Sequence, residues 1–239
     1  MPIRGPLIGP ALRSRIGASV LSAARGADTR FVKKRLARFA REHRRYVAAQ
    51  RNVIALERRL RAARARLSRC DEVQDEAVEA LARALVGDGH RRRNPFAAFG
   101  APSPSKLARL PFADEAEAVH QLVRAIQRDT RISERTSHAA RAVDKAAHAV
   151  EQAIIQVKQV EATVSGARRS RDAMGRGWHS AYMALKNGAR AAADDGAPEL
   201  HAILFAAPSR VPSKGKKRRL AKPTLPENAA TDPDSPVPA

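Results

Sequence analysis

Seven histidines, at 43, 90, 120, 138, 148, 179 and 201, and one cysteine, Cys70, are the residues of this 239-residue chain best suited to metal or nucleophilic chemistry. The histidines form no close ligand pair in sequence. His148 with Glu151, and Glu117 with His120, lie three residues apart. Such pairs sit on adjacent turns of a helix face and arise often by chance. A metal site would need ligands from a second helix, which spacing alone does not place. Cys70 has no cysteine to pair with, and a thiol on the apolar repeat described below is expected to be buried. Gly175 and Gly177 before Trp178 follow no strand and make no phosphate-cradling loop. Ser, His and Asp occur in no nucleophile context. Trp178, Tyr182 and Met183 are expected to pack a core, not to stack a base. The expectation is a non-enzymatic protein with no catalytic residue, metal, cofactor or small-molecule substrate.

Charge is the stronger signal. The chain has a formal net charge of +21 and a pI near 11.4. Residues 31–70 hold fourteen Lys or Arg against two acids, Glu42 and Glu57. Lys33, Lys34, Arg35, Arg38, Arg41, Arg44, Arg45, Arg51, Arg58 and Arg59 are the candidate polyanion-binding residues of this stretch. Arginine binds phosphate through paired hydrogen bonds, and a row along a rigid helix can follow a phosphate backbone. Such contacts position a ligand without reading a base sequence. A second basic module lies near the C-terminus, at Lys214, Lys216, Lys217, Arg218 and Arg219. Its Pro- and Ser-rich setting reads as a disordered arm or a localisation signal. No zinc-finger, RNA-binding or helix-turn-helix pattern accompanies these residues.

The elements that must hold these groups are long helices. Aromatics are 4% of the chain and charged residues 29%, so a thick core is not expected. A first helix is expected over 29–87, with Asp28 or Thr29 as its cap. Its seam reads Tyr46, Ala49, Val53, Leu56, Leu60, Ala63, Leu67 and Cys70, alternating steps of three and four. Val73, Ala77, Leu81 and Leu85 continue the seam after a slight phase change near Gln74. Ser68 and Asp71 resemble a cap, yet no Gly or Pro supports a break there. Acids dominate residues 71–88. A linker over 88–113 contains Arg91–93, four prolines, Phe96 and Phe99. A second helical region is expected over 114–195, with Asp114 as cap, Glu117 closing a capping box, and a break near 166. Its seam runs Val119, Leu122, Ile126, Asp129, Ser133, Thr136, Ala140, Val143, Ala147, Val150, Ile154, Val157, Glu161 and Val164. Met174, Trp178, Tyr182 and Leu185 predict a compact knob, and 196–207 is a short apolar segment that folds back onto it. Residues 1–28 read as a flexible basic segment with a short helix near 11–25, and 208–239 as a disordered tail, basic then acidic.

The expected fold is all-α: an elongated antiparallel helical hairpin, or coiled coil, that assembles into a helical bundle, with disordered termini. Such a hairpin sets like charge beside like: 71–88 near 114–117, and 31–45 near Arg168, Arg169, Arg171 and Arg176. Association of two hairpins with opposite ends together would relieve this. The expected partners are nucleic acid, a second copy or another helical protein, and, ranked below these, an anionic membrane touched by an amphipathic segment at 12–24. No stretch has the apolar length of a membrane span. A cytoplasmic, nucleoid or nuclear location is expected, neither secreted nor transmembrane.

Overall fold

The computed structural model describes residues 9–206. It contains six α-helices: α1 (Pro10–Ala23), α2 (Lys33–Gly87), α3 (Pro104–Leu107), α4 (Phe112–Gln127), α5 (Glu134–Ala191) and α6 (Leu200–Phe205). No strand occurs among the described residues. The chain is all-α, as its periodicity predicts.

Helices α2 and α5 run antiparallel along one another. Pairs such as Arg64–Glu161, Glu57–Arg168 and His43–Trp178 step in opposite directions along the two helices. At 58 residues, α5 is about 87 Å long. Apolar burial is concentrated at its two ends. At one end, the C-terminal part of α2 packs with α4 and the first half of α5. Leu81, Leu85, Leu122, Ile126, Val143 and Val150 are core residues there. At the other end, α1 and α6 close over the start of α2 and the end of α5, around Phe39, Tyr46, Trp178 and Leu185. Between the two cores runs a two-helix arm, residues 47–66 against 154–177, where Val53, Ala63 and Val164 are the buried apolar side chains. Two helices alone enclose only a narrow seam.

Helix α2 is continuous through Ser68 and Asp71. Its start is a 3-10 turn over Arg30–Val32, and the Asp28 carboxylate accepts from the backbone N–H of Arg30 at 3.1 Å. The phase change falls at Gln74, but the seam continues through Gln74 and Val78; Val73 falls out of it, while Ala77 stays half-buried against the core. Gln74 is fully buried, whereas Val73 is 56% exposed. The steps from Cys70 to Gln74 and from Gln74 to Val78 are both four residues. That rotates the buried stripe toward α4, which the 3–4 alternation does not anticipate.

The second helical region departs from expectation in two places. It is divided at 128–133, not near 166, and the cap at Asp114 does not form. Asp129 accepts from the N–H of Arg131 at 3.0 Å, and its carboxylate is also held by the Arg131 guanidinium. Ser133 then caps α5 by accepting from the N–H of Thr136 at 3.2 Å. These local bonds give the backbone an alternative to the helix, and they prevail where the apolar seam is interrupted. Gly166, by contrast, lies within α5. The propensity cost of a glycine is about 1 kcal/mol, too small to break a helix supported along its length by a partner. At α4 the extended Pro111 precedes the first residue, Phe112, so Asp114 and Glu115 sit in the first turn instead of at the cap.

The linker is ordered. Phe96 and Leu107 are fully buried against the α2–α4–α5 core. Asn94 braces the turn by accepting from the N–H of Phe96 and donating to the carbonyl of Ala101. Gly100, at φ 71°, supplies the left-handed residue that turns the chain back. The short helix expected near 11–25 forms as α1, and it is built into the fold instead of flexible, burying Gly17 and Val20; residues 1–8 of that segment lie outside the described residues. The apolar segment after α5 folds back as expected, with Leu200 and Leu204 buried and Phe205 edge-on to Tyr182. Cys70 is half-buried against the α2–α4–α5 core.

Candidate polyanion interface

All ten candidate residues of α2, from Lys33 to Arg59, are exposed. The reason is geometric: on a helix of 3.6 residues per turn they fall outside the stripe that contacts α5. Arg44, Arg51 and Arg58 recur every seven residues, about 10 Å apart, on the face opposite Tyr46, Val53 and Leu60. They form a straight outer ridge along α2. Arg35 is different, because its side chain lies over Gly188 of α5. Arg41 and Arg45 both approach Glu42, at 3.7 Å. The second candidate module, Lys214 to Arg219, lies outside the described residues.

The arm adds groups that sequence reasoning assigned to no site. Residues 47–66 and 154–177 together hold eleven Lys or Arg and three acids. Each acid is engaged by a basic side chain of the arm: Glu57 by Arg168 at 2.6 Å, Glu161 by Arg64 at 2.5 Å, and Asp172 by Arg171 at 2.8 Å. Arg51, Arg58, Arg59, Lys158, Arg169 and Arg176 make no ion pair within the described structure. The exposed pairs add little stability, about 0–1 kcal/mol each. Their larger effect is to remove every negative charge from the arm's competition for cations, so the surface that remains is cationic. Only the antiparallel register brings Arg168 and Arg169 beside the α2 ridge.

The opposite end has the reverse character. Glu115 of α4 is buried beside Asp71, Gln74 and Asp75 of α2. Burial, together with the charges of Asp75 and Asp71, pushes its carboxyl up to about 7. Burial and neighbouring acids also raise Asp71 and Asp75. The expected meeting of the two acidic segments therefore occurs, and the raised Glu115 carboxyl reflects its cost.

One further group contains side chains from two helices. His120 of α4 meets Asp144, His148 and Glu151 of α5. Sequence spacing missed it because His120 and His148 are 28 residues apart and become neighbours only when the chain reverses at 128–133. Two clefts flank the linker: one of about 500 Å³ beside Arg83, Arg92, Arg93, Ser103 and Ser105, and one of about 410 Å³ beside His90, Arg91 and Asn94. No described helix is long and apolar enough to cross a membrane.

An all-α protein with two small helical cores joined by a cationic two-helix arm is the class that this fold defines. No family model, curated protein or solved structure matches the chain.

Proposed function

We propose that this protein is a non-enzymatic helical scaffold whose basic surface contacts a polyanion, with nucleic acid bound without sequence specificity as the ligand. The observation behind this reading is the α2 ridge and the arm beside it, where exposed basic groups outnumber acids and the acids are already paired. A straight row at about 10 Å intervals suits a linear chain of phosphates better than a single headgroup. The membrane reading is weaker, because α1 places Val20 in the core and leaves Leu12 as its one large exposed apolar side chain.

The test is binding of the full chain to random double-stranded DNA across a salt series. Binding should weaken steeply with salt, with a slope of about 0.9 per phosphate neutralised. Arg51→Glu/Arg58→Glu/Arg59→Glu should lower both affinity and slope. Neutralising Lys214, Lys216, Lys217, Arg218 and Arg219 separates the tail's share. No binding at low salt would overturn the proposal.

A second reading is association with another helical chain. Leu56, Leu60, Val157 and Val160 are only half-buried, and Ile54 and Ile155 are exposed, along the same arm. Such association would persist in high salt, where phosphate binding fails.

A further inference from the structure

The cluster between α4 and α5 has the donor set of a transition-metal site. Asp144, His148 and Glu151 are spaced four and three residues apart, so α5 presents them on one face. Helix α4 lays His120 across them. The His120 ring is almost wholly buried, and its Nδ1 lies 2.8 Å from Asp144 Oδ1. The other nitrogen, Nε2, is buried without a hydrogen-bond partner and lies 3.5 Å from Glu151 Oε1. His148 Nδ1 is 3.1 Å from the second Glu151 oxygen, and His148 Nε2 is 3.8 Å from Asp144 Oδ2. The two imidazole rings stand 4.4 Å apart.

A hydrogen bond to Asp144 fixes the His120 proton on Nδ1. The Nε2 lone pair then faces a carboxylate oxygen, two acceptors with no donor between them. A metal cation, in the place a second ring proton would otherwise take, satisfies both acceptors. Tetrahedral coordination with bonds of about 2.0–2.1 Å separates ligand atoms by about 3.3 Å, close to the His120–Glu151 spacing. Candidate ligand atoms of His120, His148 and Glu151 all lie within 4.8 Å of one another. The His148 side chain is 63% exposed, so solvent reaches its side of the cluster. Asp144 takes the outer position that commonly orients a metal-bound imidazole.

We infer that His120 Nε2, His148 and Glu151 bind a divalent first-row transition metal of the zinc class, with Asp144 as the orienting acceptor. Two imidazoles and one carboxylate favour zinc, nickel or copper over magnesium or calcium. Solvent completes the coordination on the exposed side. The bound ion ties α4, a helix held by loops at both ends, to α5. This inference is independent of polyanion binding.

The experiment is titration of the full, metal-free chain with Zn(II) by calorimetry, with Co(II) absorption as a report on geometry. One equivalent should bind and raise the melting temperature. His148→Ala, at an exposed position that leaves the fold intact, should lose affinity at least tenfold and abolish the thermal shift. Glu151→Gln should do the same. Asp144→Asn should weaken binding about 10- to 100-fold. His138→Ala and His179→Ala, at exposed positions elsewhere on α5, should bind as the parent does. No saturable binding, or binding undiminished in both His148→Ala and Glu151→Gln, would overturn the assignment.

Discussion

Trp178 Nε1 donates a hydrogen bond to His43 Nδ1 at 3.1 Å, and both side chains are buried where α5 meets α2. The bond requires a neutral His43 with Nδ1 unprotonated. Burial acts in the same direction and holds the imidazole below its ordinary pKa. Gly17 of α1 lies directly against the His43 ring, where a Cβ would overlap it. One indole, one imidazole and one missing side chain thus join three helices.

Gly17→Ala should destabilise the chain by about 1–3 kcal/mol, because the ring must move and its bond to Trp178 must break. Urea unfolding followed by Trp178 fluorescence, from the chain's single tryptophan, reads this out. A variant as stable as the parent would show that the ring is not confined.

Acid should weaken this end. His43 has a lower pKa folded than unfolded, so its contribution is complete above about 6.5 and is lost as pH falls through the folded value. His43→Gln should flatten the pH dependence of stability below 6.5 relative to the parent. Paired melting curves between pH 5 and 8 measure the difference.

Glu115 has the opposite sign. Its carboxyl is raised from 4.5 to about 7, so its favourable contribution is complete below 4.5 and fades as pH rises through 7. Glu115→Gln should be more stable than the parent at pH 8, by on the order of 1–3 kcal/mol. The two should converge near pH 4.5. Equal stability at pH 8 would mean that the Asp71–Gln74–Asp75 pocket accommodates the charge.

Two helical glycines of α5 should respond in opposite ways to alanine. A Cβ at Gly166 meets nothing closer than the Arg169 guanidinium at 4.0 Å, so Gly166→Ala should stabilise by about 1 kcal/mol. A Cβ at Gly188 would stand 2.6 Å from the Arg35 side chain. Gly188→Ala should therefore gain less or lose stability, as thermal melts of the two variants will show.

Charge reversal at Arg58 and Arg59 should leave the melting temperature within about 2 °C, because both are exposed and without an ion-pair partner in the described structure. The same variant should bind DNA more weakly at low salt. A large loss of stability would reassign these residues to the fold.

Much of the architecture could be read from periodicity. The 3–4 spacing from Tyr46 to Leu67 and from Ala140 to Val150 determined two long helices, because a helix must bury one stripe to stand against another. Composition determined that the core would be thin, and the run from Lys33 to Arg59 determined a basic outer face. Periodicity misled at Asp129–Ser133, where the spacing persists but side chain–backbone bonds win, and at Val73, where packing against α4 turns the seam. Only tertiary structure decided which charges remain unpaired, because Glu57 meets Arg168 across 111 residues of sequence. It also decided the His120–His148–Glu151 cluster and the burial that raises the Glu115 carboxyl. Spacing along a helix fixes which residues share a face. Which faces meet depends on where the chain reverses and in what register it returns.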